Sequence, residues 1–160
     1  MSNFRVEHED VRSLLAALLG RQVTAIAQRR ATRFNSTTPG TVATFVDADG
    51  QVIGACYCDI GLANRISAAL CLNPAQAANG NTQKGIIDEM AMETLYEIMN
   101  IGSGLFTGAA DGRRVSVADL HKVPGDAPDE LKTFFRQAEH RFEFAVEIKG
   151  YGGGLIQFAA

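Results

Sequence analysis

The stretch ETLYEIMNIGSG, residues 93–104, decides how this chain is read. Ile87, Ala91, Leu95, Ile98 and Gly102 fall on one stripe at about 100° per residue, and Met90, Thr94 and Ile101 widen it, so the segment from about Ile86 to Gly102 is expected to be a helix with a core-facing side. Glu89, Glu93, Glu97 and Asn100 follow a 4, 4, 3 spacing that stacks them in one row on the opposite face, with Tyr96 beside them. Asparagine gains little in a helix interior, because its amide competes with the backbone for hydrogen bonds, and like charges four residues apart repel. No Lys or Arg in the row relieves them. The row reads either as a solvated acidic face or as a docking surface, and Gly102 and Gly104 either as a C-cap or as room for a second backbone.

Outward from this helix the pattern is mixed. HEDVRSLLAALLGRQ carries Val11, Leu14, Leu15, Leu18 and Leu19 at helical spacing and ends at Gly20. VTAIAQRRATRF reads as a strand, NSTTPG as a turn, and TVATFVDADGQVIGACYCDI as a hairpin turning at Asp-Ala-Asp-Gly. GLANRISAALCL is a second helix closed by Asn73-Pro74, and NPAQAANGNTQKG a loop. RRVSVADLHKV is strand-like, PGDAPDE a loop, ELKTFFRQAEH a short helix, and RFEFAVEIKG and GGLIQFA two closing strands joined by a YGGG turn. The glycines of GYGGGL lack the Gly-Lys-Ser/Thr ending of a phosphate loop. The expectation is a single α+β domain over residues 1–160, an antiparallel sheet meander with helices packed on one face. The first and third helices are each followed by a strand, which allows a pseudo-twofold arrangement.

A chain of 160 residues, 46% hydrophobic and 21% charged, has the size and composition of one globular domain. Its net charge of −3 and lack of a basic run argue against nucleic acid as a partner. Neither a signal peptide nor a membrane-spanning run stands out, so a cytoplasmic protein is expected. Cys56 and Cys58, two apart on a strand, should point to the same face as buried free thiols. Only Cys71 could join them, and His8, His121 and His140 are scattered, so no metal site is expected.

Glu97-x-x-Asn100 followed by Ile-Gly-Ser-Gly, with Pro124 further on, resembles the signature of the CheC/CheX/FliY family of bacterial chemotaxis phosphatases. The layout around it, an N-terminal helix ending in LLG, the middle helix and a final hairpin, is similar over most of the chain. The first helix has no Glu-x-x-Asn, so the resemblance is to single-site CheX-like members rather than to CheC with its two sites. Two positions differ from the family pattern: Glu93 stands where Asp or Ser is favoured, and the spacer from Asn100 to Pro124 is one residue longer.

The resemblance implies hydrolysis of the aspartyl phosphate on a CheY-like response regulator, with Glu97 and Asn100 as the active-site pair. Glu93, Glu89 and Tyr96 would contact the partner, and Gly102, Gly104 and Pro124 complete the motif. No cofactor of the chain's own is implied: the Mg²⁺ such chemistry needs would come on the phosphorylated partner. A homodimer is implied as well. The alternative is a binding module of the same fold that docks on a receiver without hydrolysing it.

Overall fold

Ala91, Leu95, Ile98, Met99 and Gly102 form the buried side of one helix, α4 (Glu89–Gly102), and the rest of the molecule is built to receive them. The computed structural model describes residues 3–29 and 38–160. Around α4 are α1 (His8–Leu19), β1 (Val23–Ala27), β2 (Gly40–Val46), β3 (Val52–Asp59), α2 (Ile60–Leu70) and α3 (Ala75–Gln83). After it come a 3-10 segment (Ser103–Ala110), β4 (Ser116–Val123), α5 (Asp129–Gln137), β5 (Arg141–Ile148) and β6 (Gly152–Ala159).

The six strands among the described residues form one antiparallel sheet in the order β1-β5-β6-β3-β2-β4. Exchanging β1 with β4, β2 with β5 and β3 with β6 reverses this order and leaves it unchanged, so the sheet has a pseudo-twofold between β3 and β6. In that symmetry α1 and α4 are counterparts, each leading into an edge strand, with α2 and α3 inserted between the halves. The hairpins β2–β3 and β5–β6 both form, the first with its turn where the sequence puts it. The first turn is fastened by Asp47, whose Oδ1 accepts from the amides of Asp49 and Gln51 at 2.9 and 3.0 Å.

The meander does not include β1. It pairs with β5, Val23 opposite Ile148 and Ala27 opposite Phe144, and lies at the far edge from β4. The connection over 28–39 is too long to be a tight hairpin turn and so does not hold β1 next to β2. β1 ends at Ala27; residues 30–37, the tail of the expected strand and part of the expected NSTTPG turn, lie outside the described residues.

Helices α1, α2 and α4 share one side of the sheet, where their apolar faces meet Ala43, Phe45, Cys56, Cys58, Phe144, Ile156 and Phe158. The alternate residues Val42, Ala55, Tyr57 and Ala159 face the other side, where Leu131 and Phe135 of α5 cover them. The sheet with its helical layer is the expected fold, and α5 adds a patch on the second face. Its sequence is strongly two-sided, and Leu131 and Phe135, four residues apart, are its buried residues.

Two segments departed from the pattern read in the sequence. Residues 75–83, expected as a loop, form α3. Only Ala78 is buried there, so no hydrophobic stripe announces the helix. Polar bonds to α2 hold this segment: Asn64 Nδ2 donates to Thr82 Oγ1 at 3.1 Å and to the Ile86 carbonyl just beyond the helix at 3.0 Å, and Arg65 reaches Asn79 Oδ1 at 3.2 Å. The YGGG turn is displaced as well. The reversal falls between Ile148 and Gly152, and Gly152–Gly154 belong to β6.

Candidate functional site

Helix α4 is started by Asp88, whose Oδ1 accepts from the Ala91 amide at 2.8 Å, an N-cap that fixes where the first turn begins. Its C-terminal end does not stop at Gly-Ser-Gly. The chain continues as 3-10 helix to Ala110 and turns only at Asp111, which has φ 52. Within that continuation Phe106 is fully buried, stacked on Phe45 at 4.2 Å and on Phe4 at 5.2 Å between ring centroids. Gly54 of β3 makes this packing feasible, since a Cβ there would fall on the Phe106 ring. The end of α4 that carries Asn100 is thus clamped by an aromatic plug one turn beyond it.

On that helix the core stripe of Ala91, Leu95, Ile98 and Gly102 is buried as expected, and Ile87 is buried too, though the helix starts after the Asp88 cap and not at about Ile86. Met90 and Ile101 do not widen it. They are 60% and 56% exposed, and Met99, with half-buried Met92, broadens the stripe on its other side. The physical reason is that β4 packs against the Met92 side of the helix and α1 lies beside Met99, whereas on the Met90 side α2 and α3 approach without covering the side chain.

Glu89, Glu93, Glu97 and Asn100 are all exposed along one line. The helical rise puts Glu93 and Asn100 about 10 Å apart along the axis, with Glu97 between them. Among the described residues no group bonds or pairs with the side chain of any of the four. The hydroxyl of Ser103 donates to the backbone carbonyl of Asn100 at 2.8 Å, so the carbonyl is capped while the side-chain amide stays free for a ligand. Such a row offers one neutral donor-acceptor group at the end of three uncompensated carboxylates.

Beside the row, a shallow groove between α4 and edge strand β4 is lined by Met92, Glu93, Tyr96, Glu97, Ala118, Asp119 and Leu120. This brings together Glu93, Tyr96 and Glu97, and adds Asp119 and Leu120. Those two were missed in the sequence because nothing local shows that β4 is an edge strand lying against α4. Pro124 does not line the groove. It is exposed beyond the end of β4, after a cis Val123–Pro124 bond. Gly102 faces α1, where an added Cβ would come 3.3 Å from Leu14 Cδ2, and Gly104 looks into open space. The motif glycines therefore serve packing or nothing visible, and neither forms a left-handed C-cap.

Cys56 and Cys58 are buried together on the helical side of β3, and Cys71 is exposed at the end of α2. Among the described residues, no group of three or more His, Cys, Asp or Glu side chains is placed to hold a metal ion, and no helix is long and apolar enough to cross a membrane.

No family model and no curated protein sequence matches this chain. Solved structures do match. FliY of Thermotoga maritima aligns over 94% of this chain and 81% of its own, with a TM-score of 0.59 and 15% identity. FliM from a FliG–FliM complex of H. pylori aligns over 95% and 85%, at 0.60 and 11%. A CheX–CheY–BeF3–Mg²⁺ complex from Borrelia burgdorferi aligns over 97% and 98%, at 0.56 and 14%. The fold is the one shared by CheX, FliY and FliM. At these identities the likeness fixes the CheX-type architecture of sheet and helices, and the chemistry has to be argued from α4 itself.

Proposed function

We propose that this protein hydrolyses the aspartyl phosphate of a CheY-like response-regulator receiver in chemotaxis or two-component signalling. The observation that carries the reading is the pair Glu97 and Asn100, one turn apart on the exposed face of α4, with no partner for either side chain among the described residues. The shared fold with a CheX found in complex with CheY, BeF3 and Mg²⁺ supports it.

Hydrolysis of an acyl phosphate passes through a loose transition state, so holding a water in line with phosphorus matters more than a strong base. Asn100 suits that task. Its carbonyl oxygen accepts from the water, its NH₂ donates, and it brings no charge to repel the phosphoryl oxygens. Glu97, as an anion, pairs instead with a lysine of the receiver and fixes the register of docking. Glu93, Glu89 and Tyr96 extend that contact along the helix. Mg²⁺ comes bound to the receiver. The protein works in the cytoplasm, as a homodimer.

The test is the decay of phosphoryl label from Mg²⁺-loaded phosphorylated receivers with and without this protein. Faster decay supports the reading. A second reading, a docking module without turnover, is favoured by the same fold in FliM of the FliG–FliM complex, and it predicts binding with an unchanged decay rate.

A further inference from the structure

We propose that an apolar stripe alongside the acidic row, formed by Met90, Ile101 and Leu72, is a second docking element for the receiver and sets the affinity of the complex. The inference rests on the reading given under Proposed function.

Met90, Thr94, Glu97 and Ile101 follow a 4, 3, 4 spacing and so form a second line on α4, which shares Glu97 with the acidic row. Around the helix Glu97 sits between Asn100 and Ile101. Thr94, in the middle of this line, meets Cys71, with its Oγ1 3.5 Å from Cys71 Sγ. That contact brings the end of α2 against α4 and sets Leu72, the next residue, beside the line. Leu72 is 75% exposed and held at φ 56, a left-handed conformation uncommon for leucine.

Eight large hydrophobic side chains are exposed among the described residues. Ile26 and Val52 lie away from this region and Tyr96 lies across the acidic row in the β4 groove; Leu70, Leu72, Ile86, Met90 and Ile101 are on α4 or on the segments that adjoin it. Scattered exposed leucines need no explanation, but a concentration beside an unpaired polar site marks a contact surface. The charge pattern says what covers it. Three exposed carboxylates with no Lys or Arg in the row are complementary to a partner that brings positive charge, and the apolar side chains beside them to one that presents hydrophobic groups next to that charge. A receiver whose lysine reaches Glu97 would lay the surface around that lysine on Ile101 and Met90. In this arrangement the row supplies register and chemistry, and the stripe supplies most of the contact area.

The experiment compares wild type with Met90→Gln, Ile101→Ser and Leu72→Asn, the last chosen because asparagine tolerates a left-handed backbone. All three sites are exposed, and circular dichroism melts confirm that each variant folds. Steady-state turnover of Mg²⁺-loaded, acetyl-phosphate-charged receiver domains from the same genome is measured alongside sedimentation velocity. The expected result is a KM raised about tenfold in the Met90→Gln/Ile101→Ser pair with kcat held within about twofold, as for loss of a central apolar contact. Turnover with KM unchanged would overturn the proposal and leave the phosphatase reading standing. Unchanged KM with weakened self-association would also overturn it, assigning the stripe to a second copy of the chain. Wild type that neither binds nor turns over any receiver would end both readings.

Discussion

Asp59 joins two parts of the fold, and removing its carboxylate should cost more than an ordinary cap. Its Oδ1 accepts from the Leu62 amide at 2.9 Å, which caps α2, and its Oδ2 accepts from the Leu155 amide at 2.9 Å, which ties that helix to β6 across 96 positions of sequence. Gly154 lets the carboxylate in, because a Cβ there would lie 2.3 Å from Asp59 Oδ1. Losing an N-cap oxygen costs about 1 kcal/mol. Leaving the half-buried Leu155 amide without its acceptor adds roughly 1–2 kcal/mol. Asp59→Ala should therefore lose about 2–3 kcal/mol, or about 5–10 °C of melting temperature for a domain of this size. Asp59→Asn should fall between, since its one acceptor oxygen can serve only one of the two amides. Urea unfolding followed by circular dichroism gives the difference, with Asp126→Ala as an exposed control. A loss for Asp59→Ala no larger than that of the control would refute the view that this carboxylate holds α2 on the sheet.

Other expectations follow from single residues. Burial, helped by the nearby charges of Asp59, Cys58 and Glu143, raises the pKa of the Tyr57 hydroxyl well above the usual tyrosine value of 10.0. The folded state thus keeps a proton that the unfolded chain releases, so this contribution to stability is full below about pH 10 and is lost as pH rises further. Ultraviolet titration should show a late tyrosine ionisation, and Tyr57→Phe should remove that late step. Gly104→Ala, with nothing within 4 Å of the new Cβ, should stabilise by up to about 1 kcal/mol in urea unfolding. Gly102→Ala should forfeit that gain against Leu14 and stay within about 0.5 kcal/mol of wild type. Cys58 is held protonated by its hydrogen bond with Cys56 and by burial, so a thiol reagent at pH 8 should modify Cys71 alone of the three cysteines in the folded protein.

The helical periodicity of residues 87–102 was legible because packing on one side and solvent on the other leave a strong trace in hydropathy. The buried thiols, the Asp47 turn and the two hairpins were legible for similarly local reasons. What escaped depended on contacts distant in sequence. α3 is held by Asn64 and Arg65 rather than by an apolar stripe, and β1 finds β5 more than a hundred residues away. The misreading of Met90 and Ile101 is instructive. Both are apolar and close to the core stripe on a helical wheel, and only the positions of β4 beside Met92 and of α1 beside Met99 decide that those two are covered while Met90 and Ile101 are not. The Glu97 and Asn100 pair stood out through the resemblance of its motif to a known signature, spacing alone having left the row open between a solvated face and a docking surface, and the structure adds that the row is exposed and its side chains unpartnered among the described residues. Asp119 could not have been found, since its relation to Glu97 exists only once β4 lies beside α4.

The most direct measurement is the decay rate of a Mg²⁺-loaded, phosphorylated CheY-type receiver in the presence of wild type or Asn100→Ala, with the affinity of each for the same receiver taken in parallel. The account predicts faster decay with wild type, loss of nearly all the acceleration in Asn100→Ala, and affinities within about threefold of each other, because positioning a water adds little to docking. Acceleration that survives in Asn100→Ala would contradict the role given to that side chain. Binding by wild type with no acceleration on any receiver would contradict the phosphatase reading and leave a docking module.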